Sequence, residues 1–102
     1  MEKISVLIPS FNRAGYLPET IASVLRQSYQ EFEIIVLDDG STDGTPQIMS
    51  LFTDPRIYYH RRQRTGLLPR LRNQLAELST GSFLAFLDSD DLWHEKKLEM
   101  CI

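Results

Sequence analysis

Acidic residues fall in two tight groups, and each group follows an apolar run. Asp38 and Asp39 close Phe32-Glu33-Ile34-Ile35-Val36-Leu37, while Asp88, Asp90 and Asp91 follow Phe83-Leu84-Ala85-Phe86-Leu87. Carboxylates gathered in one cleft repel each other and raise one another's pKa unless a cation sits among them. Oxygen-only ligands suit a hard divalent ion, Mg2+, Mn2+ or Ca2+, better than zinc. Magnesium commonly takes one or two carboxylates and completes its shell with substrate phosphates, so phosphate is the natural second partner. A third group, Pro9-Ser10-Phe11-Asn12-Arg13, follows the first apolar run and offers a hydroxyl, an amide, a flat ring and a cation. A ring there can stack on a base, or simply be core, and an arginine there can meet a phosphate. Asp43 reads as a turn former. Asp91 reads either as a helix cap near Trp93 or as part of the acidic group.

These groups need a scaffold that brings them together. Strand-like runs at Ile4 to Ile8, Phe32 to Leu37, Arg56 to His60 and Phe83 to Leu87 alternate with helix-like segments. The runs are continuously apolar rather than alternating, which predicts strands covered on both faces, as in a parallel sheet. Leu17, Ile21, Val24 and Leu25 fall at helical spacing after the first run. Thr45 and Pro46 predict an N-cap and first turn leading through Ile48 and Leu51. Leu67, Leu71, Leu75 and Leu78 predict a third helix stopped by Gly81, and a fourth begins near Glu95. The alternation implies an α/β fold, a Rossmann-like three-layer sandwich with a mostly parallel sheet. In such folds ligands bind beyond the carboxyl ends of the strands, where the strand order reverses. All three chemical groups sit at carboxyl ends.

Composition narrows the alternatives. The 102 residues are 42% hydrophobic and 25% charged, which fits one globular domain and no disordered tail. A net charge of −3 gives no general attraction to nucleic acid. Cys101 is the single cysteine, which fits a reducing compartment. The Ile4 to Ile8 run is too short for a signal peptide or membrane span, so the reading is a soluble, cytoplasmic protein. The apolar end Met100-Cys101-Ile102 carries no cap and reads either as a chain stopped partway through a domain or as a frayed last turn packed on the sheet. The basic residues Arg61, Arg62, Arg64, Arg70 and Arg72 could steer an anionic ligand or meet a membrane; balancing the acids on a solvated loop is the simpler reading. His60 and His94 have no ligand spacing to another residue.

Three segments carry a family resemblance. Val6-Leu7-Ile8-Pro9-Ser10-Phe11-Asn12-Arg13, Phe32 through Thr45, and Phe86-Leu87-Asp88-Ser89-Asp90-Asp91-Leu92-Trp93 resemble successive signatures of family 2 glycosyltransferases. Ser23 to Tyr29 is similar to that family's first helix. The resemblance implies a GT-A fold whose nucleotide-sugar-binding half spans residues 1–102, truncated before the acceptor part. It implies that Pro9, Ser10, Phe11, Asn12 and Arg13 line a nucleoside pocket, with Phe11 stacked on the base. Asp39 would accept from the base, uracil by preference, with Asp38 supporting it. Asp88-Ser89-Asp90 would be the Asp-x-Asp motif, with Asp88 near ribose and metal, Ser89 beside the nucleotide, and Asp90 the more direct ligand to Mn2+ or Mg2+. The implied reaction transfers a sugar from a nucleotide-diphospho-sugar donor, a UDP-sugar in preference, to a carbohydrate or lipid-linked hydroxyl with inversion. The base would lie downstream, leaving no catalytic residue within the chain. Peripheral membrane association of the full enzyme and self-association of the fragment would follow. Two departures stand out: Arg72-Asn73 comes one residue late, and Ser82 replaces a usual acid. A nucleotidyltransferase would need a glycine-rich basic loop after the first strand, and a receiver-like module would order its aspartates differently.

Overall fold

The computed structural model describes residues 2–101, so Ile102 of the uncapped end lies outside it. The elements are β1 (Ile4–Ser10), α1 (Leu17–Leu25), β2 (Phe32–Asp38), α2 (Thr45–Met49), β3 (Ile57–Arg61), α3 (Leu68–Leu78), β4 (Phe83–Phe86) and α4 (Lys97–Cys101). The four strands form one sheet in the order β3-β2-β1-β4, and every pairing is parallel. Connections from β1 to β3 move one way across the sheet, and the crossover to β4 moves back past β1. Crossovers keep one hand, so reversing direction sends α3 to the opposite face from α1.

The core records this as two layers. Ile4, Val6 and Ile8 with Ile34 and Val36 pack against Leu17, Ile21 and Val24 of α1, Met49 of α2 and Leu98 of α4. Leu7, Ile35 and Leu37 point the other way, onto Leu71 and Leu75 of α3. The three-layer α/β expectation holds. β1 and β2 are buried along their whole length, as continuous apolarity predicts.

Three local expectations change. Phe83, Leu84 and Phe86 of β4 are 40–45% exposed, because β4 is an edge strand among the described elements and only β1 lies beside it. Leu67 precedes α3 and is exposed: Pro69 is tolerated only in the first turn, so the helix starts at Leu68. α2 takes Gly44 rather than Thr45 as its N-cap residue and stops at Met49, leaving Leu51 exposed. The reason is Asp43, whose Oδ1 accepts the Thr45 amide at 3.0 Å and the Thr45 hydroxyl at 2.5 Å. Asp43 is the turn former its sequence setting predicts.

Candidate active site

Register sets the position of the site. β1 and β2 run in step, pairing Ile4 with Phe32 and Ser10 with Asp38, so the loops after both strands leave the sheet side by side. The Asp39 amide then donates to the Ser10 carbonyl at 2.8 Å. On the other side of β1, the Leu87 amide donates to the Leu7 carbonyl at 3.0 Å, which delivers Asp88 to the same end of the sheet. β1 is where strand order reverses, and a cleft of about 460 Å³ opens beyond its carboxyl end. Pro9, Ser10, Phe11, Arg13, Asp39, Asp88, Ser89 and Asp90 all line it.

Asn12 and Asp38 stand behind the cleft rather than on its wall. Asn12 adopts φ 51°, and its Oδ1 accepts the Thr42 and Asp43 amides at 2.8 and 3.3 Å while its own amide donates to Ser41 Oγ at 2.8 Å. It clamps the β1 loop to the β2 loop. Asp38 is fully buried and accepts from the Ser41 amide at 2.9 Å, the Ser41 hydroxyl at 2.5 Å and the Tyr59 hydroxyl. Burial, then the hydrogen bond to Asp38, pushes the Tyr59 phenol above its usual value, so it remains a neutral donor. Asp38 thus supports the β2 loop from beneath.

Asp39 is also fully buried, and its carboxylate accepts from the Thr65 amide at 2.9 Å, the Thr65 hydroxyl at 3.2 Å, the Gly66 amide at 2.9 Å and Arg64 Nη1 at 2.9 Å. Burial opposes its ionisation, but those hydrogen bonds and the Arg64 charge outweigh it and hold the carboxyl below the ordinary value. Arg61, whose Nη2 reaches the Ser41 carbonyl at 2.7 Å, lies 4.0 Å from Asp38. Two of the five basic residues therefore balance acids. Arg72 instead lies over Phe86, 5.2 Å from the ring centroid, and does not line the cleft.

The acidic turn differs in kind. Asp38, Asp39, Asp43 and Asp54 all accept from protein donors, whereas the side chains of Asp88, Asp90 and Asp91 accept from none among the described residues. Asp88 and Asp90 are exposed on the cleft wall, while Ser89 between them is buried. Among the described residues no three His, Cys, Asp or Glu side chains gather into a metal cluster. Two unpartnered carboxylates fit an ion that takes its remaining ligands from water and phosphate. The Ser10 hydroxyl adds to this wall: it is buried and has no hydrogen-bond partner among the described residues. Asp91 caps no helix, because α4 begins only at Lys97.

A polar strip along α1 and just past its end holds the acidic turn, and sequence reasoning missed it. Thr20 Oγ1 donates to the Ser89 carbonyl at 3.0 Å, Ser23 Oγ accepts the Trp93 amide at 3.2 Å, and Gln27 bonds the His94 carbonyl and the Leu98 amide at 2.7 and 2.9 Å. Thr20, Ser23 and Gln27 recur at helical spacing beside the apolar stripe, which was the available signal. Trp93 packs against the α1-side core.

A parallel sheet that gathers three loops and a free carboxylate pair at its switch point is the architecture of a nucleotide-binding α/β protein. Comparison with known proteins is more specific: the model of glycosyl transferase family 2 matches residues 5–102, and the chain belongs to that family. It is 38% identical over 99 residues to the Escherichia coli UDP-Glc:alpha-D-GlcNAc-diphosphoundecaprenol beta-1,3-glucosyltransferase WfgD, covering 97% of this chain and 39% of that protein. S. aureus TarS, solved with UDP-GlcNAc, superposes with a TM-score of 0.90 at 31% identity over 97% of this chain and 30% of that one. The mannosyltransferase PcManGT from Pyrobaculum calidifontis, solved with GDP-Man and Mn2+, gives 0.82 at 26% identity over 88% of this chain and 28% of that one. The fold is therefore that of GT-A glycosyltransferases, and the chain spans less than two-fifths of each of these relatives.

Proposed function

We propose that the chain is the donor-binding part of a glycosyltransferase, which holds a nucleotide-diphospho-sugar, a UDP-sugar by preference, in the cleft at the β1 switch point. The complete protein passes the sugar, with inversion, to a hydroxyl of a carbohydrate or lipid-linked acceptor. One observation carries the reading: Phe11, Asp39 and the Asp88–Asp90 acids come from three distant segments and line one cleft. The UDP-Glc and diphosphoundecaprenol in the name of WfgD, and the UDP-GlcNAc bound to TarS, support the donor and acceptor classes.

Each residue has a task in this reading. Phe11 offers a stacking face to the base, and Asp39 an acceptor for its imide. The unpartnered Ser10 hydroxyl offers a hydrogen bond to the ligand, and Arg13 meets phosphate charge. Asp88 and Asp90 would hold Mn2+ or Mg2+, with Asp90 the more direct ligand. That ion, when bound, supplies positive charge to the departing nucleoside diphosphate. Of the carboxylates after Asp91, Glu99 accepts from Ser28 Oγ at 2.7 Å on the exposed surface, and neither it nor Glu95 lines the cleft. The base that deprotonates the acceptor then comes from elsewhere in the complete protein, and the isolated chain binds donor weakly at most, without turnover. No helix among the described residues is long and apolar enough to cross a membrane. In this reading the enzyme works in the cytoplasm, peripherally at the inner membrane face, on the strength of the lipid-linked acceptor in the name of WfgD.

Calorimetric titration with UDP and Mn2+ tests this reading. Asp90→Ala should weaken UDP binding by about tenfold or more by removing metal-held phosphate affinity. Equal affinity in the variant would remove the metal role, and failure of the native chain to bind any nucleoside diphosphate would remove the reading itself.

A further inference from the structure

Phe11 and Asp39 are the groups a nucleobase would use, and the protein covers both with its own chain. The donors on Asp39 come from three consecutive residues. Oδ1 accepts from the amide and hydroxyl of Thr65, and Oδ2 from Arg64 Nη1 and the Gly66 amide. A carboxylate offers about four lone-pair sites, so these four contacts saturate it. The Arg64 guanidinium carbon lies 3.5 Å from the Phe11 ring centroid, which places the cation directly on the stacking face.

Backbone geometry builds this arrangement. Gly40 has φ +76°, and a Cβ there would lie 2.8 Å from the Arg64 nitrogen, so only glycine lets the chain approach so closely. Gly66 has φ +71°, which turns its amide back onto Asp39. Upstream, the Arg62 amide is pinned to the Asp38 carbonyl at 2.8 Å. Residues 62–67 are exposed and belong to no helix or strand, so little besides Asp39 and Phe11 holds the segment down.

We propose that residues 64–66 form a strap that stands in for a nucleobase on Phe11 and Asp39, and that a base binds by displacing Arg64 from both. The inference rests on the nucleotide-binding reading of the cleft. An imide N–H replaces the Arg64 donor on Oδ2, and the base ring replaces the guanidinium on Phe11. The Thr65 contacts to Oδ1 can persist throughout. The strap lowers apparent nucleotide affinity in proportion to the time it is closed.

The test compares UDP with inorganic pyrophosphate, which fills the phosphate end and never reaches the base position. Both are titrated calorimetrically into the native chain and Arg64→Ala in the presence of Mn2+. Taking the ratio of UDP to pyrophosphate affinity removes the general effect of losing a cation. That ratio should rise about three- to tenfold in Arg64→Ala, the range expected from releasing one cation–π contact and opening a closed site. In the native chain, the Arg64 and Gly66 amide resonances should shift on saturation with UDP and stay in place with pyrophosphate. A ratio that falls or stays level, or amides that do not respond to UDP, overturns the strap while leaving nucleotide binding intact. A native chain that binds pyrophosphate no more weakly than UDP sinks the nucleoside-pocket reading beneath it.

Discussion

Gly40→Ala isolates the backbone requirement at the centre of the site. Gly40 sits at φ +76°, where an L-residue is disfavoured by about 1–2 kcal/mol. The new methyl would also meet the Arg64 backbone nitrogen at 2.8 Å and the Arg62 carbonyl at 3.2 Å. Backbone atoms cannot swing aside as a side-chain tip does, so overpacking adds about 1–3 kcal/mol. The lower entropy of alanine in the unfolded chain returns about 0.4–1 kcal/mol. The net loss is about 1–4.5 kcal/mol, which for a domain of this size lowers the thermal midpoint by roughly 4–35 °C. Urea unfolding followed by circular dichroism measures it. Gly15→Ala is the control, since nothing lies within 4 Å of a Cβ built there, and it should stay within about 0.5 kcal/mol of the native chain. A Gly40→Ala loss below about 1 kcal/mol would refute the close approach of residues 62–64 to Gly40.

Other expectations follow from packing, charge and the open edge. Leu75 is fully buried between α3 and the sheet, so Leu75→Ala should lose about 2–5 kcal/mol in urea unfolding, whereas Leu67→Ala, 53% exposed, should change little. Glu33 is held below its ordinary value of 4.5, because hydrogen bonds from Ser5 and Thr80 and the Lys3 charge outweigh burial; Asp39 is depressed likewise from 3.8. Depressed carboxyls stabilise the fold above their unfolded pKa values and lose that effect as pH falls through the folded ones. The urea midpoint should therefore show no loss from these groups above about pH 5 and decline below about pH 4. The exposed apolar residues of β4 favour self-association, so sedimentation at high concentration should find dimers or larger species, and Leu84→Lys should shift them towards monomer.

Central strands were the easiest part of the fold to read, because a strand covered on both faces has no polar face to interrupt its pattern. β1 and β2 show this directly. The same logic misread β4: Phe83, Leu84 and Phe86 carry the same apolar signal, but exposure of an edge depends on what lies beside it. The positions of the acids were legible because aspartates directly after apolar runs must leave the sheet at its carboxyl end. Their partners were not. Asp39 is saturated by residues 25–27 positions downstream, and nothing local to Asp39 announces that; the approach depends on two left-handed glycines. Asn12 shows the same limit, since an amide in a ligand-facing loop looks like a ligand group, and its ties to the neighbouring loop are not visible locally. Arg64 was visible only as one member of a basic group, and its selection over Arg62 is a matter of tertiary geometry.

The strand order also bears on synthesis. β1 is paired on one side by β2 and on the other by β4, whose residues follow it by about eighty positions. As the chain leaves the ribosome, β1, β2 and β3 can assemble with α1 while one flank of the first strand waits. The Asp88–Asp90 turn is pinned only when Ser89 reaches Thr20, a contact between residues 69 apart. The residues of the acidic wall are thus the last part of the cleft to leave the ribosome, after those of the base-side wall.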